Sequence, residues 1–71
     1  MEYRYFEHDY FGKCKIIGEF KNIALIETPK DGFEKYIVAT GFSIEKRNWR
    51  FGHYFKDYNK AIIACTLLLC E

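Results

Sequence analysis

The spacing of apolar and polar positions along this chain switches between two periods. Cys14, Ile16 and Phe20 alternate with Lys13, Lys15 and Glu19, the two-residue period of a strand with one wet face. Lys21-Asn22 is short enough to turn that strand into the next. The runs Ile23-Ala24-Leu25-Ile26 and Tyr36-Ile37-Val38-Ala39-Thr40 flank Pro29-Lys30-Asp31-Gly32, where Pro presets φ, Asp can bond its own backbone and Gly accepts positive φ. A hairpin is predicted there. Tyr36 to Phe42 is apolar on both alternating faces, with Tyr36, Val38 and Phe42 on one and Ile37, Ala39 and Gly41 on the other, which predicts a central strand. After a polar loop from Ile44 to Asn48, the alternation places Trp49, Phe51, His53 and Phe55 on one face and Arg50, Gly52 and Tyr54 on the other. Tyr3-Arg4-Tyr5-Phe6 fits a further edge strand.

From Asp57 onward the period lengthens. Asp57 is a suitable N-cap, and a helix is predicted from about Tyr58 to the end. Ala61, Ile62, Cys65, Leu68 and Leu69 have the spacing of a stripe that packs on the sheet, while Ile63, Leu67 and Cys70 form a second stripe off that face. The predicted fold class is therefore α+β: one domain over residues 1–71, with four or five short antiparallel strands in meander order and one C-terminal helix on a face. From Ala61 to Cys70 no residue is charged, so the second stripe predicts self-association as a two-fold dimer. Folding of Tyr3 to Phe11 back over the helix, or a heterologous partner, are the alternatives for covering it.

Composition adds constraints. Six Tyr, seven Phe and one Trp make one residue in five aromatic, too many rings for the core of so short a chain, so some should lie at the surface as partner contacts. A net charge of +1 gives no sign of nonspecific binding to nucleic acid or membranes, but its distribution is uneven. Residues 1–12 carry Glu2, Glu7 and Asp9 against Arg4, whereas residues 44–60 carry Lys46, Arg47, Arg50, Lys56 and Lys60 against Glu45 and Asp57. The longest uncharged run, Ala61 to Cys70, is half of the ~20 residues a membrane helix needs, so no membrane span is expected. Cys14, Cys65 and Cys70 are odd in number, lack a C-x-x-C spacing and follow a charged, aromatic start rather than a signal peptide. Reduced thiols in a cytoplasm are the expectation.

No motif predicts catalysis, a metal or a cofactor. Glu19-Phe20-Lys21 with Asp9 has the residue types of a Mg²⁺-dependent nuclease site, but Glu-x-Lys is common on solvated strand faces. His8 and His53 with the three cysteines lack the close spacing of zinc ligand pairs. Cys14 and Cys65 read as small core residues, and no Cys-His pairing or glycine-rich phosphate loop is present. The densest interleaving of cations and rings is Lys46-Arg47-Asn48-Trp49-Arg50-Phe51-Gly52-His53-Tyr54-Phe55. There Lys46, Arg47, Trp49, Arg50 and Tyr54 are the candidate partner-binding residues, because Trp, Tyr and Arg dominate protein hot spots. The same mixture suits single-stranded nucleic acid, with cations on phosphates and rings under bases. A larger protein partner is the first expectation and nucleic acid the alternative. The bland reading makes Trp49, Phe51 and Phe55 core and the cations a solvated loop.

The segment from Trp49 to Ala61, a strand ending in Gly-x-Tyr-Phe that runs through Asp57 into an Ala-bearing helix, resembles an element of small accessory proteins of phages and mobile elements of low-GC bacteria. The Lys, Ile, Asn, Tyr and Phe content is similar in kind. That resemblance implies a small phage-encoded protein acting in the bacterial cytoplasm, with inhibitors of host defence such as anti-CRISPRs as one class. It supplies no functional residues.

Overall fold

The structure, a computed structural model, describes residues 3–70. Five antiparallel strands, β1 (Arg4–His8), β2 (Gly12–Phe20), β3 (Ile23–Glu27), β4 (Tyr36–Thr40) and β5 (Phe51–Phe55), form one open sheet in the order β1-β2-β3-β4-β5. The helix α1 (Tyr58–Leu69) lies across β3, β4 and β5 on one face. The α+β class, the meander and the single C-terminal helix are as the sequence predicts, and the edge strand at the N-terminus makes five strands. Asp57 does cap α1, its side chain accepting from the Asn59 N–H at 3.0 Å, which satisfies one of the orphan amides of the first turn. No helix among the described residues is long and apolar enough to cross a membrane.

Both faces of the sheet carry a core. Beneath α1, Leu25 and Val38 meet Ala61 and Cys65, with Ile17, Ile23, Tyr36, Phe55, Ala64 and Leu68 around them. On the opposite face Cys14, Ile16, Ala24, Ile26, Ile37 and Ala39 are covered by Phe6, Phe11 and Phe42, with Ile44 and Trp49 packed against them. Among the described residues no helix covers that second face. Its lid consists of Phe6 of β1, the β1–β2 turn and the segment between β4 and β5.

Three features redirect side chains from the simple alternation. A bulge in β2 leaves Ile17 as an extra residue, since Ile16 pairs with Ile26 but Gly18 with Leu25. The phase therefore flips. Phe20 pairs with Ile23 on the helix face and is 57% exposed, rather than sharing a face with Cys14 and Ile16. Gly41 has φ +68 and ends β4 one residue after Thr40, so Phe42 packs with Ile37 and Ala39 instead of with Tyr36 and Val38. Trp49 precedes β5 and lies on the Gly52 and Tyr54 side, because an added Cβ at Gly52 would stand 2.7 Å from its Nε1. It does not share the face of Phe51, His53 and Phe55. The predicted helix stripe is corrected as well. Ala64 turns inward with Ala61, Cys65 and Leu68, while Ile62 and Leu69 are 37% and 39% exposed.

Candidate functional site

Two turns meet at one end of the aromatic face. The β1–β2 turn, His8-Asp9-Tyr10-Phe11, closes because His8 Nδ1 accepts the backbone N–H groups of Tyr10 at 3.1 Å and Phe11 at 3.3 Å. Gly12, at φ +84, then leads the chain into β2. The β4–β5 connection is pinned at its start by the Phe42 N–H donating to the Asn22 carbonyl at 3.0 Å. Beyond it Ser43 and Asn48 exchange backbone hydrogen bonds of 3.0 and 3.3 Å, which folds Ile44-Glu45-Lys46-Arg47 into a tight turn. Arg47 takes φ +53, uncommon outside glycine. That conformation closes the turn and leaves both Lys46 and Arg47 exposed.

Trp49 ties the two turns together. Its ring stacks on His8 with centroids 4.7 Å apart and planes 18° off parallel, lies 6.0 Å from Phe11, and meets Phe6 edge-on at 6.4 Å. Phe6 in turn packs on Phe42 at 5.5 Å. Such ring pairs each contribute about 0.5–1.5 kcal/mol beyond the area they bury. The result is a fixed cleft of about 310 Å³, walled by Glu7, His8, Asp9 and Tyr10 on one side and Lys46, Arg47 and Asn48 on the other. The acidic and basic walls form no ion pair with each other; the ion pairs among the described residues are Arg4–Glu19, Lys15–Glu27 and Lys35–Glu27.

Of the sequence-predicted partner residues, Lys46 and Arg47 line this cleft, and Trp49 stands behind it as a half-buried scaffold. Arg50 does not line it, its aliphatic stem lying over Gly41. Tyr54 is 44% exposed, on the aromatic face beside Phe11 with ring centroids 6.2 Å apart. Neither lines the cleft. Glu7 and Asp9, which the sequence marks only as part of an acidic start, and the structural His8 are not among the predicted partner residues. The available signal was His-Asp-Tyr-Phe-Gly after a strand, a turn with an acceptor side chain at its start.

Lys13, Lys15 and Lys30 place their ammonium groups 4.6–4.9 Å from the rings of Tyr5, Tyr3 and Tyr10, so several surface tyrosines have an internal cationic neighbour. The remaining candidate chemistry is dispersed. Asp9 sits in the turn before β2 and Glu19 near the far end of that strand, roughly 20 Å away at ~3.3 Å per residue. Glu19 pairs with Arg4 instead. Those carboxylates do not share a metal ion, and among the described residues no group of three or more His, Cys, Asp or Glu side chains could hold one. Burial, and then the nearby charge of Glu7, push the Cys14 thiol up to about 11, and burial raises that of Cys65. Neither is poised as a thiolate nucleophile. Ile63, Leu67 and Cys70 are exposed on the outer side of α1, on the sheet face opposite the aromatic lid. Comparison with protein-family models, curated proteins and solved structures found no match.

Proposed function

We propose that the protein is a non-enzymatic interaction module that docks on a larger protein through the cleft between its two turns, the mode of action expected of a phage-encoded inhibitor. The observation that carries this reading is the stacking of Trp49 on His8, which sets the two chain segments side by side so that Lys46 and Arg47 line one cleft with Glu7 and Asp9 and form no ion pair with them. A backbone framework set before binding costs less entropy on contact, and two signs of charge in one cleft select a partner that offers the complementary pattern. A carboxylate-bearing segment for Lys46 and Arg47, with a cation or amide for Glu7 and Asp9, is the chemistry that fits. The nucleic-acid alternative is less favoured, because His8 and Phe11 pack on the Trp49 ring and Glu7 and Asp9 repel phosphates from the same cleft.

The test is capture from bacterial lysate on immobilised wild type and on a Lys46→Glu, Arg47→Glu variant, each with and without nuclease. The expected result is a protein retained by the wild type in both conditions and lost from the variant, a drop of at least tenfold. Equal retention by the variant removes the cleft from the account. Retention abolished by nuclease would establish the nucleic-acid reading in its place.

A further inference from the structure

We propose that the free edge of β5 is a strand-docking site: it takes an extended segment of another protein, running antiparallel, as a sixth strand of the sheet, and selects a segment with a carboxylate near each end. The site stands apart from the cleft, none of whose lining residues belongs to β5.

The composition of β5 and its surroundings disagree. Phe51-Gly52-His53-Tyr54-Phe55 contains no charged residue, yet it is the one strand of the five without a buried residue. Phe51 is 65% exposed on the helix side of the sheet, and Tyr54 is exposed on the other. β5 stands last in the sheet and pairs with β4 without interruption, from Thr40↔Phe51 to Tyr36↔Phe55. In an antiparallel pair, alternate residues turn their N–H and C=O groups away from the neighbour, so β5 presents a row of them outward. Among the described residues no backbone hydrogen bond outside the β4 ladder ends on Gly52, His53, Tyr54 or Phe55. The turn Gly32–Glu34 approaches β5, but its Gly32 and Glu34 carbonyls accept from the Lys35 N–H and the Thr28 hydroxyl instead.

The opposite edge of the sheet is defended. β1 carries Arg4 and Glu7, charges of the kind that keep an edge from recruiting another strand, whereas β5 has no charge, proline or bulge. An open edge with a ring on each face has both parts of strand recognition. Main-chain hydrogen bonds supply affinity, and side chains at alternate positions supply selectivity.

Charge decides the occupant. Arg50 and Lys56 flank β5 and are exposed, while Asp57, next in sequence, is turned to the helix amide of Asn59. Paired residues of a continuous sheet lie on the same face. Two copies of β5 joined about their midpoint, His53, would therefore set Arg50 of each opposite Lys56 of the other, and like charges so placed are destabilising. Sliding the register by the two residues that keep the faces matched leaves only Phe51 to His53, or His53 to Phe55, in the ladder. A foreign strand with a carboxylate at each end meets Arg50 and Lys56 favourably, and β-branched residues between those carboxylates lie opposite Phe51, His53 and Phe55.

The test uses the end-blocked peptide Glu-Val-Thr-Val-Thr-Val-Glu, added to the ¹⁵N-labelled protein. Saturable amide shifts are expected over Arg50 to Lys56, with exchange of the outward β5 amides slowed about tenfold or more. The same peptide N-methylated at its five central amides should bind about tenfold more weakly, and one with Lys in place of both Glu residues about fivefold more weakly. Lys56→Glu, at an exposed position, should narrow that preference between the Glu-ended and Lys-ended peptides. Absence of shifts at millimolar peptide overturns the proposal, as does equal binding of the N-methylated peptide or a response centred on β1. Equal binding of the Glu-ended and Lys-ended peptides overturns the charge selection. Slowed exchange in β5 that grows with protein concentration, with no peptide present, overturns the choice of a foreign strand in favour of a second copy.

Discussion

On one face of the sheet the packing partners are a helix and small side chains, Ala61, Ala64 and Cys65 over Leu25 and Val38; on the other they are rings, with Phe6, Phe11, Phe42 and Trp49 closing over Ile26, Ile37 and Ala39. The helix face is built from regular secondary structure and local hydrogen bonds. The aromatic face is built from turns, and side-chain volume does what a second helix would otherwise do. A core closed by large rings concentrates more of its stability in each residue. It also fixes the turns that carry those rings, which is how the charged cleft comes to have a defined shape.

The largest expected effect follows from that contrast. Phe6→Ala removes a 6% exposed ring that touches both Phe42 and Trp49 and should cost about 3–5 kcal/mol in urea unfolding, whereas Cys65→Ala on the helix face should cost about 1 kcal/mol. Comparable losses at the two sites would erase the distinction between the faces.

Next in size is an alkaline effect from the aromatic face. Cys14 is fully buried and its thiol is pushed up to about 11 from the ordinary 9.0, so the unfolded chain releases this proton more readily than the folded one. Stability is then complete below about pH 9 and falls as the pH rises towards 11, by at most about 2–3 kcal/mol from this group. Cys14→Ala should flatten that part of the pH profile. An unchanged alkaline slope in the variant would show that other groups control it.

Two backbone positions sharpen the comparison at smaller scale. Gly41 redirects Phe42 into the aromatic core at φ +68, and a Cβ there would lie 2.7–2.9 Å from Arg50 side-chain atoms. Gly41→Ala should therefore destabilise by about 1–2 kcal/mol. Lys21 in the β2–β3 turn has φ +56 and an ordinary side chain. Lys21→Gly relieves that strain at some cost in unfolded-state entropy and should be neutral or stabilising by less than about 1 kcal/mol. A loss at Lys21 or a gain at Gly41, read from thermal melts, would reverse the assignment of strain.

How much of this was legible in the sequence divides along the same line. The meander, the hairpin turn at Lys21-Asn22 and the capped helix were readable, because period and turn chemistry are local properties of the chain. The phases of Phe20, Phe42 and Trp49 were not. Each lies just past a bulge, a positive-φ glycine or a tight turn, and one such residue moves every following side chain to the other face. Gly52 held a usable clue, since a glycine inside a strand marks close approach by another group, here the Trp49 indole. In the cleft, Lys46 and Arg47 stood out as a cluster and Glu7 and Asp9 as an acidic start, but nothing local showed that the two would share one site. Glu7 and Asp9 lie at the end of β1 and in the turn after it, more than thirty residues away in sequence, and the packing of His8 and Phe11 on Trp49 brings the walls together.

The proposal that this cleft is the docking surface is tested most directly by mapping the contact residue by residue. Amide shifts of the ¹⁵N-labelled protein, recorded while the protein captured from lysate is added, report which segment it touches. The predicted result is perturbation and broadening confined first to Glu7–Phe11 and Ile44–Arg50, abolished in the Lys46→Glu, Arg47→Glu variant. Perturbations centred instead on Ile62–Cys70, or on the tyrosine and lysine pairs of β1 and β2, would contradict it.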